Sequence, residues 1–221
     1  MGEVDTPTTR THVVRESQLA VYDRAAVYQI LDEGFICHIG FSVEGQPYVI
    51  PTSYGRAGDV LYVHGSAVSR MLRTLSHGVP ACVTVTLVDG LVLARSLFNH
   101  SMNYRSVVVL GTTSVVEDRE EKLKALHILS EHIMAGRWTE ARQPNQRELK
   151  ATLVLRIPIQ EFSAKVRTGP PIDDEEDYAF PVWAGVIPLT LVPGEPIADS
   201  RVAKHQVVPK YVPGYLRKRH P

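Results

Sequence analysis

The chain has 221 residues, with 44% hydrophobic and 22% charged side chains, enough apolar material for one sizeable folded core and a long extension. Lys plus Arg and Asp plus Glu number 24 each, so no net field gathers phosphate backbones or an anionic membrane surface, and nucleic-acid and membrane partners are not expected. No apolar run reaches the length of a membrane-crossing helix, the first residues lack the charged-then-apolar layout of a signal peptide, and Cys37 and Cys82 cannot build a disulfide framework, so a cytoplasmic protein is expected.

Residues 1–18 are polar without apolar period and read as an N-terminal arm that orders only against another surface. A short helix follows, with Asp23 as cap, Tyr22 and Val27 spaced as a hydrophobic staple, Val27, Ile30 and Leu31 as its apolar stripe, and Gly34 as its stop. From Phe35 onward, short runs rich in β-branched and aromatic residues alternate with glycine-containing turns. The runs are Phe35 to Val43, Pro47 to Tyr54 and Val60 to His64, with turns at 44–46 and 56–59. Ala81 to Val88 and Leu91 to Ser96 flank Asp89-Gly90, the strongest short hairpin signal in the chain.

Tyr104 to Val116 is long enough to pair with two neighbours. A helix then opens on Asp118 and Glu121 and carries Leu123, Leu126, Leu129 and Ile133 to about Met134. A short helix near 146–151 precedes a last strand, Leu153 to Lys165. Hairpin-linked strands with peripheral helices close most economically into a small antiparallel barrel, because closure removes open sheet edges. The expected fold is therefore mainly β, with residues 19–165 forming the barrel domain. After Lys165 prolines punctuate residues 166–221, yet Tyr178, Phe180, Trp183, Val186 and Leu189 make this stretch too apolar for a solvated linker. It reads as a wrap over a surface, such as that of a partner subunit. The acidic run Asp173 to Asp177 lacks a cation-loop spacing and reads as a solvated loop, and the basic tail Arg217 to His220 is too short to imply nucleic acid.

The segment from Leu61 to Leu75 holds the most chemistry. It reads strand, tight turn, helix, with Val68, Met71, Leu72 and Leu75 as a core stripe that leaves Ser69, Arg70 and Arg73 outside. Gly65 allows close backbone approach, Ser66 is placed to cap the helix, and free N–H groups with a guanidinium make a phosphate site. The alternative is an ordinary capped surface helix.

Four segments together resemble the pyridoxamine 5′-phosphate oxidase-like split-barrel flavoproteins, in the branch of the nitroimidazole-resistance (Nim-type) proteins. They are Cys37-His38-Ile39-Gly40-Phe41, Gln46 to Tyr54, Leu61 to Ser66, and Asn103 to Gly111. The resemblance implies a six-stranded antiparallel FMN-binding split barrel, a homodimer with the cofactor at the subunit interface, and a flavin-dependent oxidoreductase passing electrons from reduced nicotinamide to a small organic molecule. A flavin, haem or deazaflavin carrier on the same barrel is the alternative.

Carried onto this chain, the resemblance places Val49, Ile50, Pro51, Thr52, Ser53 and Tyr54 along the flavin, Ser66, Ser69 and Arg70 on its phosphate, and Tyr104, Arg105 and Ser106 at the pocket near the seam. Trp183 resembles an aromatic residue laid on the site by the partner subunit, its alternative being a core anchor. His64 is the candidate catalytic residue, as proton donor or substrate-orienting group, against a purely structural histidine. His38 reads as packed or surface-facing, and His100 as a residue at the pocket mouth or on the surface. The terminal Arg-x-His pair of true pyridoxamine-phosphate oxidation is missing, and Met71 stands where a second basic phosphate ligand is expected.

Overall fold

A computed structural model describes residues 5–203, 206–213 and 215, so the basic tail Arg217 to His220 lies outside the described residues. The elements are β1 (Ala20–Val21), α1 (Arg24–Glu33), β2 (Ile36–Val43), β3 (Gln46–Ala57), β4 (Val60–Ser66), α2 (Arg70–Leu75), β5 (Pro80–Leu93), β6 (Ser101–Thr112) and β7 (Ser114–Val115). They continue with α3 (Arg119–Ile133), α4 (Arg137–Glu140), α5 (Gln146–Ala151), β8 (Thr152–Pro158), β9 (Glu161–Arg167) and β10 (Gly185–Pro188). One antiparallel 10-stranded sheet runs β1-β9-β6-β5-β2-β3-β4-β8-β7, with β10 added on β5. The sheet curls without closing, as a split barrel does. It has ten strands among the described residues where six were expected, and β1, β7 and β10 are only two to four residues long.

α1 forms where the spacing placed it. The Asp23 carboxylate accepts from the Ala26 N–H at 2.8 Å, and Val27, Ile30 and Leu31 are buried. Inside the barrel these meet Cys37, Ile39, Tyr54, Leu61, Val63, Val83, Val107 and Val109. The Tyr54 hydroxyl donates to the Leu31 carbonyl at 2.5 Å, which joins α1 to β3. A second, smaller core of Tyr62, Val116, Ala125, Leu129 and Val154 lies under α3.

Several local expectations are corrected. Asp89-Gly90 makes no hairpin: β5 runs straight through it, with a register shift between Val88 and Gly90 against β6. The turn signal is overridden because β5 pairs with β6 on both sides of this bulge and with β10 beyond it. The expected last strand is two strands, since β8 pairs with β4 and β7 whereas β9 pairs with β6 and β1. β4 continues to Ser66, so the cap position of α2 is Ser69, and Val68 ahead of the helix is 81% exposed instead of joining the core stripe. Helical spacing has no meaning at a residue outside the helix. On α3 the buried pair is Ala125 and Leu129, while Ile133 at the helix end is exposed.

The two extensions are docked. In the N-terminal arm, Asp5 pairs with Arg24 at 2.6 Å and Arg10 pairs with Glu161. In the C-terminal stretch, Asp173 is buried, not solvated. Its carboxylate accepts from the Arg95 N–H at 2.9 Å and the Ser96 N–H at 3.1 Å and pairs with the Arg95 guanidinium at 3.2 Å. Among the described residues no helix is long and apolar enough to cross a membrane.

Candidate flavin and phosphate site

β3 is the strand at which the barrel splits. From Gln46 to Ser53 it is laddered to β2, and from Tyr54 to Ala57 to β4. Tyr54 opposite Val63 is the last β3–β4 pair, so Ser53 and His64 are the first residues past the parting of the strands. Between Gln46 and Ser53 the edge of β3 away from β2 has no backbone partner among the described residues.

Sequence chemistry orients that free edge. The β2–β3 turn is two residues, with Glu44 at φ 49° and Gly45 at φ 82°, so Val43 and Gln46 form its closing pair. Alternation then directs the backbone groups of Gln46, Tyr48, Ile50 and Thr52 at β2 and those of Pro47, Val49, Pro51 and Ser53 outward. Both prolines fall on the outward set, where no ladder N–H is lost. The open edge therefore offers the Val49 and Ser53 N–H groups beside a row of carbonyls. Side chains alternate as well: Tyr54 is fully buried, whereas Val49 is 64% exposed.

At the end of β4, the Ser69 N–H donates to the Ser66 carbonyl at 2.9 Å, closing a turn that sets Ser66, Ser69 and Arg70 side by side. Ser69 makes no side-chain capping bond. The Arg70 guanidinium stacks over the Tyr48 ring at 4.6 Å, and neither it nor Arg73 has a carboxylate partner among the described residues. Met71 is buried in the core, so this turn carries one cation where two were expected from the resemblance.

His64 is half-buried, and its Nδ1 is buried with no hydrogen-bond partner. Burial lowers its pKa below the ordinary 6.5, so the ring is neutral at pH 7. A buried lone pair without a partner is tolerated better than a buried N–H without one, which assigns the proton to Nε2. The side chain thereby presents a neutral Nε2–H donor one position past the last β3–β4 pair.

The remaining candidates sit elsewhere. Arg105 is held between Asp89 and Glu33, at 2.7 and 2.5 Å, and these two hydrogen-bonded carboxylates raise its pKa, Asp89 most. Its charge is compensated within the fold and is not free for a phosphate. Tyr104 and Ser106 face outward on β6 opposite Val88 and Thr86, and Thr84, next on that face of β5, is opposite His38. Trp183 is 67% exposed and folds back on Gly185, ahead of the β10 pairing at Leu93. Thr84, the β5 residue opposite His38, lies about 20 Å away along that strand from Gly90, so one chain does not bring Trp183 to its own β3. The role of Asp89 escaped the sequence reading, because an Asp-Gly pair carries a turn signal and nothing marks it as the partner of Arg105.

The sequence profile of pyridoxamine 5′-phosphate oxidase matches residues 23–166, which span α1 to β9. The chain belongs to this family. Among solved structures, it is 42% identical to the flavocytochrome Anf3 from Azotobacter vinelandii, covering 94% of this chain and 97% of that one with a TM-score of 0.89. It is 37% identical to a FAD- and haem-binding protein from Mycobacterium smegmatis, covering 89% and 96% with a TM-score of 0.85. A protein of Bacteroides thetaiotaomicron classed with 5-nitroimidazole antibiotic resistance is 26% identical, covering 66% and 86% with a TM-score of 0.55. No curated protein sequence matches the chain. The two more similar structures cover the C-terminal wrap as well as the barrel, whereas the third covers about the length of the barrel alone.

Proposed function

We propose that this protein binds FAD and a haem and works as an electron-transferring oxidoreductase. The observation that carries the flavin half is the free edge of β3 ending at an arginine without a carboxylate partner. A flavin pyrimidine edge presents acceptor, donor, acceptor, which complements outward N–H and C=O groups on a strand. The bound flavin would supply the hydride and electron chemistry, and the chain positions it and limits what approaches it.

FAD in place of the expected FMN is proposed because the 37% identical relative is described as binding it. With Met71 in the core, Arg70 at the turn is the cation that meets the phosphate. The 37% identical relative is described as binding FAD and haem, and the 42% identical one as a flavocytochrome, which supports both halves of the reading.

In this reading His64 donates from Nε2 to the flavin or to a small-molecule substrate beside it, since it is neutral and faces the parting of β3 and β4. The protein acts as a homodimer through the outer face of the sheet, where Ile36, Val49, Val88 and Met102 are exposed. Trp183 from a second copy then reaches the site that the chain's own Trp183 does not.

The test is the absorbance spectrum of protein purified without added cofactor, followed by mass measurement of what heat and acid release. Flavin bands with the mass of FAD, together with a Soret band, are expected. A colourless protein that takes up neither titrated flavin nor haem overturns the reading.

A further inference from the structure

A cavity of about 340 Å³ opens between α3 and α5, away from the sheet face assigned to the dimer. Arg119 and Lys122 line it from the start of α3, Gln146, Leu149 and Lys150 from α5, and Glu117 from the segment ahead of α3. Residues three or four apart share a helix face, so both helices turn these side chains to one side. Leu149 is buried and gives the cavity an apolar wall.

The charges in this lining are uncompensated. Arg24, Arg56, Arg95 and Arg105 each face a carboxylate. Arg119, Lys122 and Lys150 face none among the described residues. Lys122 is half-buried, and burial without a counter-charge pulls its pKa below the ordinary 10.5. Arg119 opens α3, where a cation opposes the helix macrodipole, and like charges three residues apart repel. Each of these costs is relieved by an anion in the cavity.

We propose that the cavity between α3 and α5 binds a nucleotide by its phosphates, held by Arg119, Lys122 and Lys150. The rest of the lining fits that chemistry: the Glu117 carboxylate accepts from ribose hydroxyls, the Gln146 amide donates to a phosphate or a base, and Leu149 packs on the base. The volume lies at the lower end of the range for small-molecule sites, about 300–1,000 Å³.

Two sources carry this group. The Ala67 N–H donates to the Ala151 carbonyl at 2.9 Å, so the end of α5 is packed on the turn that bears Ser66, Ser69 and Arg70. The adenosine end of an FAD anchored at that turn is one source, and a free nucleotide is the other. Only the first rests on the flavin reading above.

The test titrates ADP by calorimetry into the full chain, as purified, carrying FMN and carrying FAD. Lys122→Ala/Lys150→Ala removes two of the cations, and Lys124→Ala removes an exposed charge of α3 outside the lining. Circular dichroism checks folding. The FMN-loaded wild type is expected to bind one ADP per chain, displaced by inorganic pyrophosphate, with a loss of tenfold or more in the double variant and none in Lys124→Ala. Loss of the ADP site on loading FAD, with the double variant weakened for FAD but not for FMN, identifies the FAD source. Undiminished ADP binding to the FAD-loaded chain identifies a free nucleotide. A chain that refuses both flavins yet binds ADP through these lysines overturns the flavin reading and leaves this inference standing. FAD-free wild type that takes no ADP at millimolar concentration, a folded double variant that binds like wild type, or an equal loss in Lys124→Ala overturns the inference.

Discussion

The Arg105 guanidinium donates twice to Asp89 and twice to Glu33, tying the bulge of β5 and the end of α1 to the middle of β6. Two carboxylates around one largely buried guanidinium are a cross-brace of the fold. Arg105→Met leaves both carboxylates without their cation and is expected to cost about 2–4 kcal/mol of unfolding free energy, measured by chemical denaturation. FAD affinity of the folded fraction stays within about twofold of wild type. Unchanged stability with lost FAD binding would instead place Arg105 on the cofactor.

Arg70 has the opposite character, since its only described contact is the Tyr48 ring. Arg70→Ala is expected to weaken FAD binding by about tenfold or more, the scale of one charge-assisted contact, and to leave riboflavin binding nearly unchanged, as read by quenching of flavin fluorescence. Equal losses for the two ligands would sink the phosphate assignment.

Asp173 anchors the C-terminal wrap to the loop after β5. Burial by itself pushes its pKa up, but the N–H groups of Ser96 and Arg95 and the Arg95 guanidinium outweigh this and hold it below the ordinary 3.8. The sign follows: its stabilisation is complete above pH 3.8 and is lost as pH falls through the lower folded-state value. Asp173→Ala leaves two backbone donors unpaired and is expected to cost about 3 kcal/mol locally, seen as faster proteolysis around residues 170–183 with the barrel intact. Proteolysis at the wild-type rate would refute this anchoring.

His64 makes the fold sensitive to mild acid. Its folded pKa lies below 6.5, so the unfolded chain takes up the proton first, and stability falls as pH drops from about 6.5 towards the folded-state value, then levels off with respect to this group. His64→Gln should flatten that part of the curve of stability against pH. If the slope between pH 6.5 and 5 is the same in both proteins, His64 is not the group responsible.

Much of the barrel was legible in the chain because the signals were local. Asp23 caps its helix by accepting from an N–H only three residues on, and the alternation from Ile36 to Val43 needs only its own period to declare one buried face. The Ser66, Ser69 and Arg70 cluster was legible for the same reason, being contiguous. Asp89-Gly90 and the 153–165 stretch were misread where pairing with distant strands overrode a local turn or continuity signal.

Composition, period and capping residues by themselves determined a mainly β chain with α1 against its core, a tight turn bearing serines and an arginine after β4, and an apolar stretch at the end. Only the tertiary structure decided which arginines of the described residues are compensated, because ion pairing joins residues such as Arg105 and Glu33 that lie far apart in sequence. It also decided where β3 leaves β2 for β4, and so which backbone groups stay open to a ligand. Strand partners are selected by burial and register across the whole sheet, which no stretch of sequence contains.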